Sequence, residues 1–256
     1  SMNWQLYFHD VVLIGSRYLL LSSLAFLLFY VLLKKKIAGK KIQQKFPRLL
    51  DYTREIGFSI LTVFIMAFIP AIVIGSPSLS KYTRFYIDIH QHSMTWFVLA
   101  FPVMAIIHDT YFYWMHRVIH HPKIFKYVHL VHHQSTNPTP FAAYAFHPLE
   151  AILEAGIFLV FVFSIPVHFY HLIFFFLFMI IYNVYGHLGW ELYPKGFSKH
   201  WLGKWINTSV NHNMHHQYFK GNYGLYFLFW DRLMGTIRPD YEERFEALKN
   251  RSQKDS

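Results

Sequence analysis

The chain has 256 residues, of which 54% are hydrophobic and only 15% are charged. Soluble domains carry about 25% charged residues, so this composition favours a membrane-embedded protein over one large soluble core. The formal net charge is +10, but the basic residues flank apolar segments and do not form a separate domain. That distribution argues against a nucleic-acid-binding protein and suits a membrane surface.

The first apolar segment, Val11 to Leu33, is long enough to span a bilayer, which takes about 20 residues. Ser1-Met2 is interpreted as a cloning remnant, and the segment lacks a small-residue cleavage site, so we expect it to be retained. Seven basic residues and no acid follow between Lys34 and Arg48. The positive-inside rule places that loop in the cytoplasm.

Two more spans are predicted before the histidines. Ile56 to Gly75 should run outward, Ser76 to His92 should lie outside, and Ser93 to Ile107 should return. The later apolar stretch Ala151 to Gly186 forms either two spans in a hairpin or two re-entrant helices. In both cases the chain returns to the side it left.

We therefore predict an all-α integral-membrane helical bundle, with about four spans or spans plus a hairpin, and a His-rich cytosolic helical cap. The 256 residues form a single membrane domain. Residues 11–107 hold the N-terminal transmembrane helices, residues 108–236 the catalytic region, and residues 237–256 a charged cytosolic tail. The expected location is a bacterial inner membrane or, in a eukaryote, the endoplasmic reticulum, with the site facing the cytoplasm.

Histidine is the unusual residue of this chain, with eighteen copies, and cysteine is absent. Without thiolates, a metal must be held by His, Asp or Glu. Eight histidines recur at spacings of three and four, which place side chains on one face of a helix: His116, His120, His129, His132, His133, His212, His215 and His216. His187 follows an apolar run at the same membrane edge and makes a ninth candidate. Nine imidazoles are too many for one metal and suit two first-row transition metals.

Two further residues are candidates for catalytic roles. Asp109 lies seven residues before His116, so its carboxylate either accepts the N–H of a ligand imidazole or is a solvated acid at the membrane edge. His147 lies in the sequence Phe-His-Pro-Leu-Glu, where it either contacts substrate, metal or a ligand, or caps the helix that Pro148 begins. Glu150 and Glu154, four residues apart, either line the substrate entrance or only mark that helix start.

The order HxxxH, HxxHH, HxxHH resembles the sterol desaturase and fatty acid hydroxylase superfamily of integral-membrane di-iron enzymes. The resemblance runs from Asp109 to Thr236 and includes the segment from Asp109 to Arg117. The stretch from Pro138 to Pro148 resembles the sterol C5-desaturase branch, and methylsterol monooxygenases share much of the pattern. Gly221 to Gly224 and Trp230 to Arg232 resemble the closing motif. Two positions depart from it: Asn211 stands where relatives often have histidine, and His108 is an extra histidine before the acid.

The resemblance implies that all nine histidines hold two iron ions, with zinc able to replace iron in a purified protein. It also implies dioxygen as co-substrate, a lipid substrate from the bilayer, and electrons from a cytosolic cytochrome b5-like or ferredoxin-like donor with its reductase. The implied reaction is desaturation or hydroxylation of an unactivated C–H bond in a sterol-like lipid. A hydroxylase of fatty-acyl, alkylglycerol or carotenoid chains is the alternative. A metal transporter or sensor is a third alternative. Against it, the histidine clusters are expected at one membrane face, whereas transported ions bind near the midplane of the membrane.

Overall fold

The structure, a computed structural model, describes residues 2–251, so the last five residues of the predicted tail and Ser1 lie outside the described part. The described chain is helical, as predicted, with four helical segments long and apolar enough to cross a membrane. These segments are Trp4–Leu32, Leu49–Val73, Met94–Ile119 and Phe169–Gly186. Their outward faces are apolar: Val12, Leu20 and Leu32 are each more than 60% exposed. A continuous apolar exterior of this kind is typical of a surface in contact with lipid.

The helices and strands follow one another along the described residues with these bounds: α1 Trp4–Phe26, extended by a π-helical turn Leu27–Leu32, α2 Lys34–Ile37, α3 Leu49–Met66, α4 Phe68–Val73, α5 Pro77–Ser80, β1 Phe85–Tyr86, α6 Met94–Ile119, α7 Pro122–Val128, α8 Leu130–His133, α9 Pro148–Ser164, β2 Val167–His168, α10 Phe169–Gly186, α11 Ser209–Tyr218, α12 Phe229–Leu233 and α13 Tyr241–Asn250. Short 3-10 turns lie at Ala38–Lys40, Pro140–Tyr144, Phe197–Lys199 and Gly203–Trp205.

The apolar stretch after residue 150 forms a hairpin of α9 and α10 that runs the depth of the bundle. The strand β2 at its turn pairs in parallel with β1, with Phe85 opposite Val167. The indole nitrogen of Trp96, near the start of α6, donates to the carbonyl of Pro166 at 2.9 Å. Because His116 lies at the other end of α6, the hairpin turn is at the end of the bundle away from the histidines.

The connection between the histidines of α8 and helix α9 is held inside the bundle. The hydroxyls of Tyr18 and Ser59 both donate to the carbonyl of Phe141, at 2.6 and 3.0 Å. The carboxylate of Glu55 accepts from the side chains of Ser135 and Thr139, at 2.9 and 2.5 Å. These contacts fix the connecting segment against α1 and α3.

The basic loop Lys34–Arg48 lies over the histidine-rich end, and one of its lysines is buried. The ammonium of Lys41 donates to the carbonyls of Gln43 and Lys45 and to Oδ1 of Asn137, at 2.9, 3.0 and 3.0 Å. The side-chain amide of Gln43 donates to Oδ1 of Asn213, on α11, at 2.9 Å. Burial lowers the pKa of Lys41 to about 7. The loop therefore contributes packing as well as charge.

The segment predicted as a charged tail contains the helix α13, which packs against α11. Tyr241, Phe245 and Leu248 are buried and form one cluster with Val210 and Met214. The hydroxyls of Thr208 and Tyr241 lie 2.8 Å apart. The charged side chains of α13 face outward, and its buried apolar residues follow the i, i+4, i+7 spacing of one helix face.

Candidate metal centre

The nine histidines singled out in the sequence come together in two groups at one end of the bundle. The first group contains His116, His120, His129, His133 and His215, and the second contains His132, His187, His212 and His216. Within each group the nearest ring nitrogens lie within 4.8 Å of one another. Metal binding by these residues remains a prediction. The structure divides the nine histidines into two groups, and this division could not be predicted from the sequence.

Each HxxHH motif contributes to both groups. In the first motif, His129 and His133 join the first group and His132 joins the second. In the second motif the assignment is reversed: His212 and His216 join the second group and His215 the first. Residues i and i+4 lie on one side of a helical turn and i+3 lies toward the other, so both motifs link the two groups.

Backbone carbonyls fix the orientation of most of the rings. The Nδ1 atoms of five histidines lie 2.7–3.2 Å from carbonyl oxygens, in these pairs: His116 with Tyr223, His132 with Ala145, His187 with Asn183, His215 with Gly221 and His216 with Ser135. A carbonyl can only accept, so Nδ1 carries the hydrogen in each pair and Nε2 keeps its lone pair.

The Nε2 lone pairs converge. In the first group, Nε2 of His133 lies 3.0 Å from Nε2 of His215, and Nε2 of His116 lies 3.1 Å from Nε2 of His129. In the second group, Nε2 of His187 lies 3.0 Å from that of His212 and 3.1 Å from that of His216. Lone pairs that face one another at this distance repel unless a cation lies between them. The donor set therefore fits two transition-metal ions with nitrogen ligands.

The protonation state of the rings agrees with that fit. Burial, followed by the neighbouring imidazoles, lowers the pKa of His132, His215 and His216 well below the usual histidine range. The rings are therefore neutral at pH 7 and offer lone pairs, which is the state a metal ligand requires.

One ligand candidate has a carboxylate partner, which sequence reasoning missed. Nδ1 of His129 donates to Oε1 of Glu150 at 2.8 Å, and both side chains are buried. Oε2 of Glu150 has no hydrogen-bond partner among the described residues. Glu150 was a candidate from the sequence, as a residue that lines the substrate entrance or marks a helix start. Nothing in the residue spacing connects it with His129.

Asp109 does not make the contact expected of it. Its Oδ1 accepts from the backbone N–H groups of Tyr226 and Phe227, at 2.8 and 3.1 Å, rather than from an imidazole. It thus anchors residues 226–227, which continue the loop that carries the carbonyls of Gly221 and Tyr223. Asp231 orders the same loop by accepting from the N–H groups of Tyr223 and Gly224, at 2.9 and 2.8 Å. An indirect role for Asp109 in catalysis remains a prediction.

His147 lies outside both groups and caps α9, which was one of the two alternatives. Its Nδ1 accepts from the backbone N–H of Leu149 at 3.1 Å. His108 is also outside both groups, and its Nδ1 lies 2.9 Å from the Tyr226 hydroxyl. Asn211, the other departure from the resemblance, is buried on α11, and neither polar atom of its side chain has a hydrogen-bond partner among the described residues.

A cavity leads from the histidines into the membrane part of the bundle. Its inner end is lined by His116, His129, His132, His187 and His212. It continues past apolar side chains of α6, α9 and α10, and along α1 from Arg17 to Leu6. Eleven residues of helix correspond to about 16 Å. The cavity therefore has the length and the apolar walls for a lipid that enters from the bilayer.

Comparison with known proteins gives the same family as the motifs. The fatty acid hydroxylase family model matches residues 101–236. The Delta(7)-sterol 5(6)-desaturase ERG3B of Gibberella zeae is 34% identical over 64% of this chain and 50% of its own length. The lathosterol oxidase of Rattus norvegicus is 30% identical over 83% of this chain and 72% of its own length.

The Delta(7)-sterol 5(6)-desaturase of Leptosphaeria maculans is 32% identical over 75% of this chain, and the match again spans half of the relative. No solved structure gives a significant match. The matched region, residues 101–236, contains all nine clustered histidines and the five carbonyl groups that contact their rings. The chain belongs to the fatty acid hydroxylase family, within the superfamily that also includes the sterol desaturases.

Proposed function

We propose that this chain is a membrane-bound di-iron oxidoreductase that uses dioxygen to desaturate or hydroxylate an unactivated C–H bond of a sterol-like lipid. One observation carries the proposal: two groups of converging Nε2 lone pairs lie at the inner end of an apolar cavity. The relatives described above are named sterol desaturase and lathosterol oxidase, which supports the lipid class.

The two groups would hold one ion each, the first with five imidazoles and the second with four. Iron bound there would supply, with dioxygen, the oxidising power that no protein side chain has. The residues of the chain prepare the site for it. Carbonyl partners keep Nδ1 protonated in five of the rings, low pKa values keep the rings neutral, and Glu150 holds His129 in place. The aromatic side chains of Phe112 and Phe146 line the cavity beside the rings and exclude water from the C–H bond.

A hydroxylase of fatty-acyl or related chains is the second candidate, because the family model itself is named for fatty acid hydroxylases. Desaturation and hydroxylation share the first hydrogen abstraction and then diverge by a second abstraction or by transfer of a hydroxyl. A metal transporter is the third candidate. The position of both histidine groups at one end of the bundle, beside the end of α6, speaks against it.

We further propose that the histidine groups face the cytoplasm and receive electrons from an acidic soluble carrier. The basic loop touches the histidine-rich end, since Gln43 contacts Asn213, and the positive-inside rule assigns such a loop to the cytoplasm. The net charge of +10 would attract an acidic donor. Turnover with that donor should fall as ionic strength rises, and salt-independent turnover would remove this electrostatic contribution.

The decisive experiment combines metal analysis with lipid mass spectrometry. The purified, iron-supplemented protein should contain two irons per chain, and cells that express it should accumulate a lipid shifted by two or by sixteen mass units. His132→Ala and His215→Ala, one from each group, should abolish the lipid shift while the protein still inserts into membrane. His90→Ala, an exposed histidine outside both groups, is the matched control. One iron or none in intact protein, or full turnover in either ligand variant, would contradict the proposal.

A further inference from the structure

Away from the clustered histidines, three polar side chains from separate segments line the mainly apolar cavity. They are Arg17 on α1, Tyr144 in the 3-10 turn Pro140–Tyr144, and Glu154 on α9. The cavity has other polar residues, but several of those have protein partners: Glu150 binds His129, His108 binds Tyr226, and Asp10 binds His9. Oε2 of Glu150 and Oδ2 of Asp10 also lack a partner among the described residues. Arg17, Tyr144 and Glu154 are polar residues whose side chains have no partner at all in the part of the chain that the structure describes or, in Arg17, only one.

The hydrogen-bonding capacity of these residues is largely unused. Arg17 donates one Nη1 bond, to the carbonyl of Ile173 at 2.9 Å, and a guanidinium has five N–H groups. Neither the Tyr144 hydroxyl nor the Glu154 carboxylate has a hydrogen bond to the residues that the structure describes, although Tyr144 is only 4% exposed. Buried polar groups in proteins are normally hydrogen-bonded, so groups that face a cavity in this way point to a polar atom of the ligand.

The three groups are electrostatic neighbours. Burial is the main cause that raises the pKa of the Tyr144 phenol, while the charge of Arg17 lowers it and that of Glu154 raises it. The ring of Tyr144 stacks on Tyr18 at 5.6 Å between centroids, and the Tyr18 hydroxyl is bound to the carbonyl of Phe141. The phenol is thus fixed beside the residue that follows Arg17 in α1.

The position of Glu154 relative to the histidine groups follows from the geometry of α9. Glu154 is four residues after Glu150, which holds His129. Four residues of helix correspond to about 6 Å along the axis, so Glu154 lies roughly one helical turn deeper in the membrane than the carboxylate that contacts the ligand set. A polar group held there would present a nearby carbon of the same molecule to the histidine groups.

We propose that Arg17, Tyr144 and Glu154 form a hydroxyl-binding clasp that anchors an alcohol group of the lipid substrate and so selects which C–H bond is oxidised. An alcohol oxygen accepts from Arg17 or Tyr144 while its hydrogen is donated to Glu154, so both halves of the hydroxyl are used. A fatty-acid carboxylate would satisfy Arg17 but has no hydrogen to donate to Glu154. The clasp therefore favours a neutral alcohol over a carboxylate. This inference rests on the proposed function, because it assumes that the cavity holds the substrate.

The test measures competition for a bound radiolabelled sterol, with the purified, iron-loaded protein in detergent. Cholesterol should compete about tenfold better than its 3-methyl ether, which cannot donate, since a buried acceptor left without its donor costs about that factor in affinity. Octadecanol should likewise compete better than stearate. These comparisons use the unmodified protein and do not depend on the folding of a variant.

The variants Tyr144→Phe and Glu154→Gln should reduce the preference for cholesterol over its ether at least severalfold. Tyr170→Phe, a lipid-exposed tyrosine outside the cavity lining, should keep the full preference. Equal competition by alcohol and ether, or a preference for stearate, would overturn the clasp. If that result came with two irons per chain and normal turnover, the proposed function would stand. If the iron count and turnover failed as well, the proposed function would fall with it.

Discussion

At the scale of single residues, one ligand candidate differs chemically from the others. In five histidines Nδ1 donates to a neutral backbone carbonyl, whereas in His129 it donates to the side chain of Glu150. A carboxylate partner makes an imidazole a stronger electron donor and fixes its orientation. The first group, which contains His129, should therefore hold its metal partly through a residue that is not itself a ligand.

The substitution Glu150→Gln should weaken iron binding in the first group by about 10–100-fold, the usual cost of losing such a partner. The amide keeps the volume but removes the charge. The measurement is retention of iron against a chelator, followed for both ions. Glu154→Gln is the matched control, because Glu154 lies one turn away on the same helix without contacting a histidine. Equal retention in both variants would show that Glu150 does not support the ligand.

Lys41 gives a prediction about pH. Burial lowers its pKa to about 7 in the folded protein, against 10.5 in the unfolded chain. Between these values the unfolded state binds more protons, so the free energy of unfolding should rise as pH increases from about 7 to about 10. Thermal unfolding in detergent across this range would measure the rise.

The variant Lys41→Met should lose that pH dependence and should also be less stable, because the three oxygens that accept from Lys41 would lose their donor. Lys40→Met, at the exposed neighbouring position, should behave as the unmodified protein does. A pH profile shared by the unmodified protein and Lys41→Met would assign the titration to another group.

At the scale of elements, the loop that follows α11 is as much part of the centre as the helices are. The carbonyl of Gly221 accepts from Nδ1 of His215 at 2.7 Å, and Gly221 has a positive φ of 82°. A Cβ atom there would lie 2.9 Å from the carbonyl oxygen of Thr236. Only glycine both adopts this conformation and allows so close an approach.

Gly221→Ala should therefore destabilise the protein by about 1–3 kcal/mol and release iron from the group that contains His215. Gly196 has the same φ of 82°, but a Cβ atom there would meet nothing within 4 Å. Gly196→Ala isolates the backbone cost from the clash and should keep both irons. Thermal midpoints and iron counts for the two variants test this difference, and full iron content in Gly221→Ala would show that the loop adjusts without disturbing His215.

The helices and loops also show which features of the structure could be predicted from the sequence. The spans could be predicted because a bilayer demands long apolar runs, and the clustered histidines because i, i+3 and i+4 share a helix face. The division of each HxxHH motif between two groups could not, because it depends on how α8 and α11 face each other. The partners of His129 and Asp109 were missed for the same reason, since each lies far along the chain. The helix α13 was hidden because its many charged residues outweigh three buried apolar ones in any composition count.

At the scale of the whole molecule, the two ends of the bundle have different characters. The basic loop and the histidine groups share one end, and the paired strands β1 and β2 mark the other. The sequence contains no cysteine, so introduced cysteines can be labelled against a clean background. This makes the predicted sidedness directly measurable.

Cysteines at Lys40 and at Lys81, both exposed, should be labelled from opposite sides of the membrane, with Lys40 accessible from the cytoplasm. The reagent should be one that does not cross bilayers, applied to intact and to opened vesicles. Labelling of both positions from one side would overturn the topology. Labelling of Lys81 alone from the cytoplasm would invert the proposed orientation but leave the histidine groups unchanged.

The packing of α13 against α11 sets an order in which the protein can mature. The ribosome makes the chain from the N-terminus, so the membrane helices and all nine histidines exist before the helix that covers Val210 and Met214 has been synthesised. Until then the outer face of α11 is exposed, and His212, His215 and His216 have no fixed support from that side. If the proposed metal ions bind, they would be loaded after translation has passed residue 250. A nascent chain stalled before that residue would be inserted in the membrane but would have an incompletely supported ligand set.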